Sequence, residues 1–369
     1  MNRSTLDKGK SSMNIYMERL RKTQEKVKEN GLKADVISEL TSLEYLTGKK
    51  VAHVGERLLV LAVPAEGKAK LFVNRLFPVE GNEQFDVIYH DDTDVATKDL
   101  AEYLPAGKIG IDGFLYSKFL IELMAQREDI EVIDGSFVVN EIRVIKDEAE
   151  RDLMRKASLL NDEVISKVPS MLKEGMTENE LADLLLAEYK KVGEAWAPLV
   201  CFGPGAAEPH HVNGDTKLKP GDVVLVDAGQ KTDGYFSDMT RTFFYKSITD
   251  EEKKVYEIVK EANRRGKEAV KPGARFCDID AAARDYIASE GYGEYFTHRL
   301  GHNIGMQLHE EPSVSGNNEG TVEEGMTFSI EPGIYLPGKF GVRIEDLVLV
   351  TKDGCECLNY YPREIEIID

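Results

Sequence analysis

The chain has 369 residues, a length that favours two or more hydrophobic cores over one. Apolar residues make up 42% and charged residues 31%, which is typical of a folded globular protein and not of a disordered one. The formal net charge of -19 argues against nucleic acid and anionic membranes as partners, because both bind basic surfaces.

The segment from Met1 to Ser12 is polar and lacks the apolar core of a secretory signal. No run reaches the roughly 18 apolar residues of a membrane span. We therefore expect a cytoplasmic protein. The four cysteines do not form a disulfide framework, and we expect ordinary thiols, with metal ligation by the closely spaced last pair as the alternative. They are Cys201, Cys277, Cys355 and Cys357.

The sequence predicts a small α/β domain at residues 13–140. Leu58–Val63 and Leu71–Val73 have strand composition and are separated by a Pro/Gly turn. The short apolar run Ile109–Ile111 precedes a helical pattern around Phe119–Met124. No cluster of metal-ligating or catalytic residue types occurs here, and His53 and His90 are expected to be structural.

A second domain is predicted at residues 145–369. Asp147 precedes a helical pattern over Glu148–Val168. Thr177 and Glu180 have capping-box spacing at the start of a helix over Glu178–Val192. A further helix is predicted over Glu251–Val270, with strands and Gly/Pro turns around it.

The second domain contains an internal repeat that carries carboxylates. Residues 221–229 and 325–333 each begin with glycine, reach a carboxylate six residues later and end in glycine; the carboxylates are Asp227 and Glu331. A turn and a second strand then follow in each repeat, with Asp238 in the first and Glu345 in the second. A duplicated unit usually packs about a pseudo-twofold axis, so we expect all four carboxylates to meet.

Four clustered, buried carboxylates require positive charge, because an unpaired buried carboxylate costs several kcal/mol. Arg241 and Arg343 could supply some of it, but two divalent cations offset all four charges. Four of the seven histidines fall in two short motifs upstream of the repeats. Their placement favours a site role for His210, His302 and His309.

Five segments together resemble the pita-bread metallopeptidases, in the prolidase and aminopeptidase P branch. They are Val226–Gly229, Ser237–Thr242, Gly301–Gly305, Ile330–Gly333 and Gly341–Asp346. The resemblance covers residues 145–365, and a weaker one covers Ala34–Gly48. It implies an α/β (α+β) chain: a small N-terminal α/β domain followed by a C-terminal pita-bread domain with a pseudo-twofold internal repeat.

The resemblance also implies residue roles. Asp227 would bind one metal ion, His302 and Glu331 the other, and Asp238 and Glu345 would bridge both. One nitrogen and four carboxylate ligands favour Mn²⁺, with Co²⁺ or Zn²⁺ as alternatives.

Catalytic roles follow from the same resemblance. Glu331 is the candidate general base, and His210 and His309 would hold substrate and stabilise the tetrahedral intermediate. Tyr235 and Arg343 are further candidate substrate-binding groups, with a structural role as the alternative. For His211 and His298 we favour a structural role.

The implied activity is hydrolysis of the Xaa-Pro bond at the N-terminus of di- or oligopeptides, by a homodimer acting on small proline-containing peptides. Some prolidases carry an arginine near the position of Ser313 to bind the carboxylate of a dipeptide. Because Ser313 is not an arginine, the sequence does not decide between dipeptidase and aminopeptidase P activity. The alternatives are methionine aminopeptidase, which lacks a large first domain, a creatinase-like hydrolase, and an inactive peptide-binding module. The last two would be expected to have lost metal ligands.

Overall fold

The computed structural model describes residues 3–51 and 55–369, with side chains from residue 15 onwards. His53, expected to be structural, lies outside the described residues, as do Met1 and Asn2. The chain divides into two compact units, residues 1–143 and 144–369. No described helix is both long and apolar enough to span a membrane.

Unit 1 is built on a six-stranded mixed sheet. Its elements in chain order are α1 (Arg3–Glu29), β1 (Ala34–Ile37), α2 (Leu40–Thr47), β2 (Leu59–Pro64), β3 (Ala69–Asn74), β4 (Phe85–His90), α3 (Lys98–Tyr103), β5 (Gly107–Ile111), α4 (Ser117–Gln126), β6 (Ile130–Asp134) and α5 (Ser136–Arg143). The strand order is β4-β3-β2-β1-β5-β6. β2 is antiparallel to both neighbours, and the other pairs are parallel.

The strands and helix predicted for this unit are confirmed: β2 is shifted by one residue, and β3, β5 and α4 extend beyond the predicted bounds by at most two residues at either end. Apolar side chains from β1, β2 and β5 are fully buried and pack with those of α3 and α4. His90 is buried at the end of β4. α1, a helix of 27 residues, was not predicted from the sequence.

Unit 2 contains two larger sheets and two hairpins. Its elements are α6 (Glu148–Ile165), α7 (Val168–Met171), α8 (Glu178–Tyr189), β7 (Leu199–Phe202), β8 (Val223–Ala228), β9 (Lys231–Thr232), β10 (Tyr235–Phe236), β11 (Met239–Tyr245), α9 (Asp250–Ala269), α10 (Phe276–Ser289), β12 (Gly301–Asn303), β13 (Glu310–Val314), β14 (Thr327–Ile330), β15 (Gly333–Leu336), β16 (Phe340–Arg343), β17 (Asp346–Val350), β18 (Cys355–Cys357) and β19 (Ile367–Ile368). One sheet has the order β19-β11-β8-β7 and the other β13-β12-β14-β17-β18.

The predicted starts of α6 and α8 are confirmed; both helices carry a capping box, and only that of α8 was predicted. Asp147 caps α6 together with Glu150, and Thr177 caps α8 together with Glu180. Two predicted helix ends were wrong. The helix predicted to Val168 ends at Ile165, before the short α7 with proline in its first turn, and α8 ends at Tyr189.

The internal repeat is visible in the strands. β8 pairs antiparallel with β11, and β14 pairs antiparallel with β17. A helix packs a buried asparagine against each pair: the Asn161 side-chain amide of α6 donates to the Ala228 carbonyl at 3.0 Å, and that of Asn263 of α9 donates to the Ile330 carbonyl at 2.8 Å. In each half, the asparagine therefore fixes the end of a strand at a predicted metal ligand: β8 carries Asp227, and β14 directly precedes Glu331.

Candidate metal centre

The ends of the repeated strands bring the predicted ligands to one cavity. Asp227 lies in β8, Asp238 directly before β11, Glu331 directly after β14, and Glu345 between β16 and β17. His302 comes from the centre of β12. All five line a cavity of about 600 Å³.

Three of these side chains form a compact group. Asp238, His302 and Glu345 are buried, and each offers one ligand atom within 4.8 Å of the others. His302 Nε2 lies 3.7 Å from Asp238 Oδ2 and 3.6 Å from Glu331 Oε1. Among the described residues, no other group of three such side chains meets these criteria, so Cys355 and Cys357 are not part of one.

Three of the carboxylates, those of Asp238, Glu331 and Glu345, lie in an environment that disfavours their charged forms. Burial raises the pKa of Asp238 well above its usual range, and Asp227 and Glu331 raise it further. Burial and the neighbouring carboxylates likewise raise the pKa of Glu345, and burial raises that of Glu331 to about 7. A cation between these groups would offset both the desolvation and the mutual repulsion.

The donor set fits divalent metal ions. Glu345 Oε1 is buried and has no hydrogen-bond partner among the described residues, so one carboxylate oxygen is left for a ligand. Burial, with the neighbouring His309, lowers the pKa of His302 to about 3, so its imidazole is neutral, as metal ligation requires. Carboxylate oxygens with one imidazole nitrogen suit hard or borderline divalent cations.

Contacts around the ligands fix their orientation. The Arg343 guanidinium donates from Nη2 to Asp227 Oδ2 at 2.7 Å and from Nε to Thr240 Oγ1 at 3.1 Å. Thr240 in turn donates to Glu345 Oε2 at 2.7 Å. One hydrogen-bonded chain therefore joins a carboxylate of the first repeat to one of the second. Such outer contacts hold ligand side chains in position for metal binding.

His302 is positioned by its strand. Its Nδ1 lies 3.1 Å from the Asn303 carbonyl, a contact that directs Nε2 towards the carboxylates. The preceding residue must be small, because a Cβ on Gly301 would come within 1.9 Å of the Ser329 carbonyl oxygen. Ser329 also donates from Oγ to Glu331 Oε1 at 3.1 Å, so one residue contacts the backbone of β12 and the carboxylate of Glu331.

Both predicted catalytic histidines line the cavity. The rings of His309 and His302 are in edge contact, with centroids 4.3 Å apart, and His210 lies in the loop before β8. His211 and His298 also line the cavity, but each has a fixed partner: His211 Nε2 lies 2.9 Å from Glu178 Oε2, and His298 Nε2 lies 2.8 Å from the Tyr335 hydroxyl.

The structure does not bring Tyr235 to this cavity. Its hydroxyl donates to Glu150 Oε1 at 2.7 Å, and it is not among the described residues that line the cavity. We therefore leave Tyr235 out of the proposed site. Arg343 does line the cavity, but its guanidinium already donates hydrogen bonds to Asp227, Thr240 and Tyr335.

Several lining residues were missed by the sequence analysis. Several of them are apolar, among them Trp196, whose ring packs on that of Phe236 at a centroid distance of 5.4 Å. Arg299 also lines the cavity. Its proximity to His302, three residues away in the same motif, was the one available signal. The other apolar lining residues are Ala197, Leu199, Pro209 and Leu308.

Four carboxylates, of which Asp238 and Glu345 are buried, line one cavity with a buried neutral imidazole, as in metal-dependent hydrolases. Residues 152–352 match the model of metallopeptidase family M24, and residues 19–145 match the creatinase/prolidase N-terminal domain. The chain therefore belongs to metallopeptidase family M24.

Individual relatives are similar over most of the chain. A prolidase of Thermococcus sibiricus has 36% identity and a TM-score of 0.88, covering 95% of this chain and 99% of that one. A dipeptidase of Pyrococcus horikoshii has 36% identity and a TM-score of 0.89 over the same shares of the two chains. A candidate dipeptidase of Bacillus subtilis is 43% identical over 241 residues, which are 64% of this chain and 66% of that protein.

Proposed function

We propose that the chain is a dinuclear Xaa-Pro dipeptidase, which hydrolyses the bond before proline in small peptides. The observation that carries this proposal is the convergence of the five ligand side chains, from both halves of the repeat, on one cavity. The similarity to a prolidase and to dipeptidases supports the choice of substrate.

Asp227, Asp238, His302, Glu331 and Glu345 would together hold the two ions. Two divalent cations, Mn²⁺ in our proposal with Co²⁺ or Zn²⁺ as alternatives, supply Lewis acidity and lower the pKa of water. Arg343 and Thr240 keep Asp227 and Glu345 in place through the contacts described above.

Proton transfer is assigned to Glu331. Its carboxylate lines the cavity and is oriented by the Ser329 hydroxyl. It accepts a proton from the attacking water and returns it to the departing proline nitrogen. His210 and His309 line the same cavity and act as hydrogen-bond donors to the substrate carbonyl oxygen as negative charge develops on it.

The apolar lining residues of the cavity suit a proline ring. An Xaa-Pro bond has no N–H, so the proline side of the substrate offers a hydrocarbon ring and no backbone donor. Trp196, Leu199 and Leu308 supply the apolar surface on which such a ring can be buried. A cytoplasmic location and a homodimer remain predictions from the sequence.

The first test is reconstitution of the metal-free protein. Mn²⁺, Co²⁺ or Zn²⁺ is added back, bound metal is counted, and cleavage of Ala-Pro and of a longer Ala-Pro-Yaa peptide is measured. We expect metal-dependent cleavage of Ala-Pro, and a loss of roughly 100-fold or more in Asp238→Asn. Asp183→Asn, on the exposed surface of α8, is the matched control and should remain active.

The outcomes separate the candidate functions. Cleavage of the longer peptide alone would assign the chain as an aminopeptidase P. Cleavage of neither peptide, with two ions bound per chain, would overturn the proposed substrate and leave only the metal centre.

A further inference from the structure

Two arginines line the cavity, and they differ in how their charge is used. The Arg343 guanidinium is 4% exposed and donates to Asp227, Thr240 and Tyr335. Arg299 is partly exposed, and no residue of ranges 15–51 and 55–369 forms a hydrogen bond or ion pair with its guanidinium. Arg299 is therefore the lining cation that is left for a ligand.

Arg299 borders the same space as the proposed catalytic groups. It lines the cavity that His302, His309 and Glu331 also line. In the chain it precedes β12 by two residues and His302 by three. A substrate bound in this cavity therefore lies beside Arg299 as well as beside these groups.

We propose that Arg299 binds the C-terminal carboxylate of an Xaa-Pro dipeptide. This inference rests on the proposed function. The C-terminal carboxylate is the one anionic group that every Xaa-Pro dipeptide carries, and a guanidinium binds it through two parallel hydrogen bonds. The carboxylates of the metal centre repel the same group.

The proposal also fits the uncharged side chain of Ser313 in β13. Ser313 pairs with His302 across the β12–β13 ladder. Arg299, two residues before β12, lines the cavity and supplies the cation that Ser313 does not. A longer peptide places its carboxylate farther from the scissile bond, so Arg299 favours dipeptides over longer substrates.

The test compares substrates with and without the carboxylate. Ala-Pro and Ala-Pro-amide are assayed with the metal-loaded wild type, Arg299→Gln and Arg299→Lys. In Arg299→Gln, we expect kcat/KM to fall about 10- to 100-fold for Ala-Pro and to change little for the amide. Arg299→Lys should recover part of the loss, because it keeps the charge but not the paired hydrogen bonds. Arg264→Gln, an exposed arginine of α9, is the matched control.

Two outcomes would overturn the inference. Equal losses for Ala-Pro and its amide would show that Arg299 only supports the fold of the site. A loss that appears for Asp-Pro but not for Asn-Pro would place the contact at the side chain of the first residue.

A binding measurement separates this inference from the proposed activity. Trp196 is the only tryptophan of the chain and lines the cavity, so its fluorescence reports binding without turnover. We expect wild-type protein to bind proline about 10- to 100-fold more tightly than prolinamide, and Arg299→Gln to lose that preference. If the wild type cleaves no Xaa-Pro substrate but keeps the preference, the proposed activity fails and the carboxylate site stands. Equal binding of the two ligands by the wild type would overturn the inference.

Discussion

The Arg343 guanidinium is the positive group through which the two halves of the metal centre contact each other. Its side chain is 5% exposed and lies 2.7 Å from the carboxylate of Asp227, which is 29% exposed. Through Thr240 it is also connected to Glu345. Removal of a buried charge leaves its partner without compensation, which costs more than the pair itself contributes.

We therefore expect Arg343→Met to destabilise the metal-free protein by about 3 kcal/mol. This value is near the lower end of the cost of removing one partner from a buried ion pair, because Asp227 is partly exposed. The difference from the wild type should shrink when divalent metal is added, because a cation then compensates Asp227. Urea unfolding with and without chelator measures both values. Arg264→Met, which breaks only exposed pairs, should change stability by less than about 0.5 kcal/mol. A loss that is the same with and without metal would contradict this account.

At the residue scale, the sequence predicted the convergence of the ligands but not the rest of the cavity. Asp227 and Glu331 occupy the same place in a repeated pattern, so their meeting followed from the repeat. Trp196 and Arg299 belong to no repeated pattern, and their place in the cavity depends on how loops pack. Tyr235 was misplaced for the same reason: it follows the first repeat closely, yet its hydroxyl contacts Glu150 of α6.

At the scale of elements, the loop that carries His210 is held by a buried residue of α8. Glu178 is fully buried and accepts the amide of Phe202 at 2.9 Å through Oε1. Its Oε2 accepts the amide of Gly214 at 2.9 Å and lies 2.9 Å from His211 Nε2. One carboxylate thus joins Phe202, at the end of β7, to His211 and Gly214 in the loop that carries His210.

We predict that Glu178→Gln displaces this loop. A glutamine has one acceptor oxygen, so its NH₂ group must face one of the two backbone N–H donors, at a cost of about 1–3 kcal/mol. Because His210 would move, kcat/KM should fall roughly tenfold while bound metal stays unchanged. Glu180→Gln on the same helix keeps the acceptor of its capping box and is the matched control. Loss of metal from Glu178→Gln would show that Glu178 acts on the centre itself and not on the loop.

The predicted elements show which structural signals are local. The start of α8 followed from its capping box, whose hydrogen bonds lie within four residues, and the start of α6 from Asp147 ahead of a helical composition. The end of α8 did not: residues 190–192 continue the helical composition, but they form turns that lead into the pairing of Glu194 with Lys231. α1 was missed because charged residues occupy much of its length, so its contacts through Leu20 and Val27 leave a weak apolar pattern.

At the scale of the whole molecule, each unit has its own apolar core, so titration of a group buried in unit 1 should act on the stability of that unit. In unit 1, Asp35 of β1 is fully buried. Burial raises its pKa well above the ordinary 3.8, and the neighbouring Asp112 and Asp134 raise it further. A Cβ on Gly110 or Gly135 would come within 2.3 or 2.0 Å of Asp35 Oδ1, so the carboxyl group is tightly enclosed.

The sign of the resulting pH dependence follows from proton binding. Between the pKa of Asp35 in the unfolded chain and its raised pKa in the folded protein, the folded state holds more protons than the unfolded state. The contribution of Asp35 to stability is therefore present at low pH and is lost as pH rises above about 4, by at most about 1.4 kcal/mol per pH unit. An asparagine side chain carries no charge at any pH, so Asp35→Asn should remove this dependence from unit 1.

Hydrogen exchange can test this in unit 1 alone. Corrected for intrinsic rates, protection of the amides in Ala34–Ile37 and Gly107–Ile111 should fall from pH 5 to pH 8 in the wild type and stay nearly constant in Asp35→Asn. Strand Val223–Ala228 of unit 2 should show the same pH dependence in both proteins. Asp86→Asn, at an exposed pair with Lys68, is the control within unit 1 and should behave as wild type. If Asp35→Asn keeps the wild-type dependence in its own sheet, then Asp35 is not the group whose protonation stabilises that core.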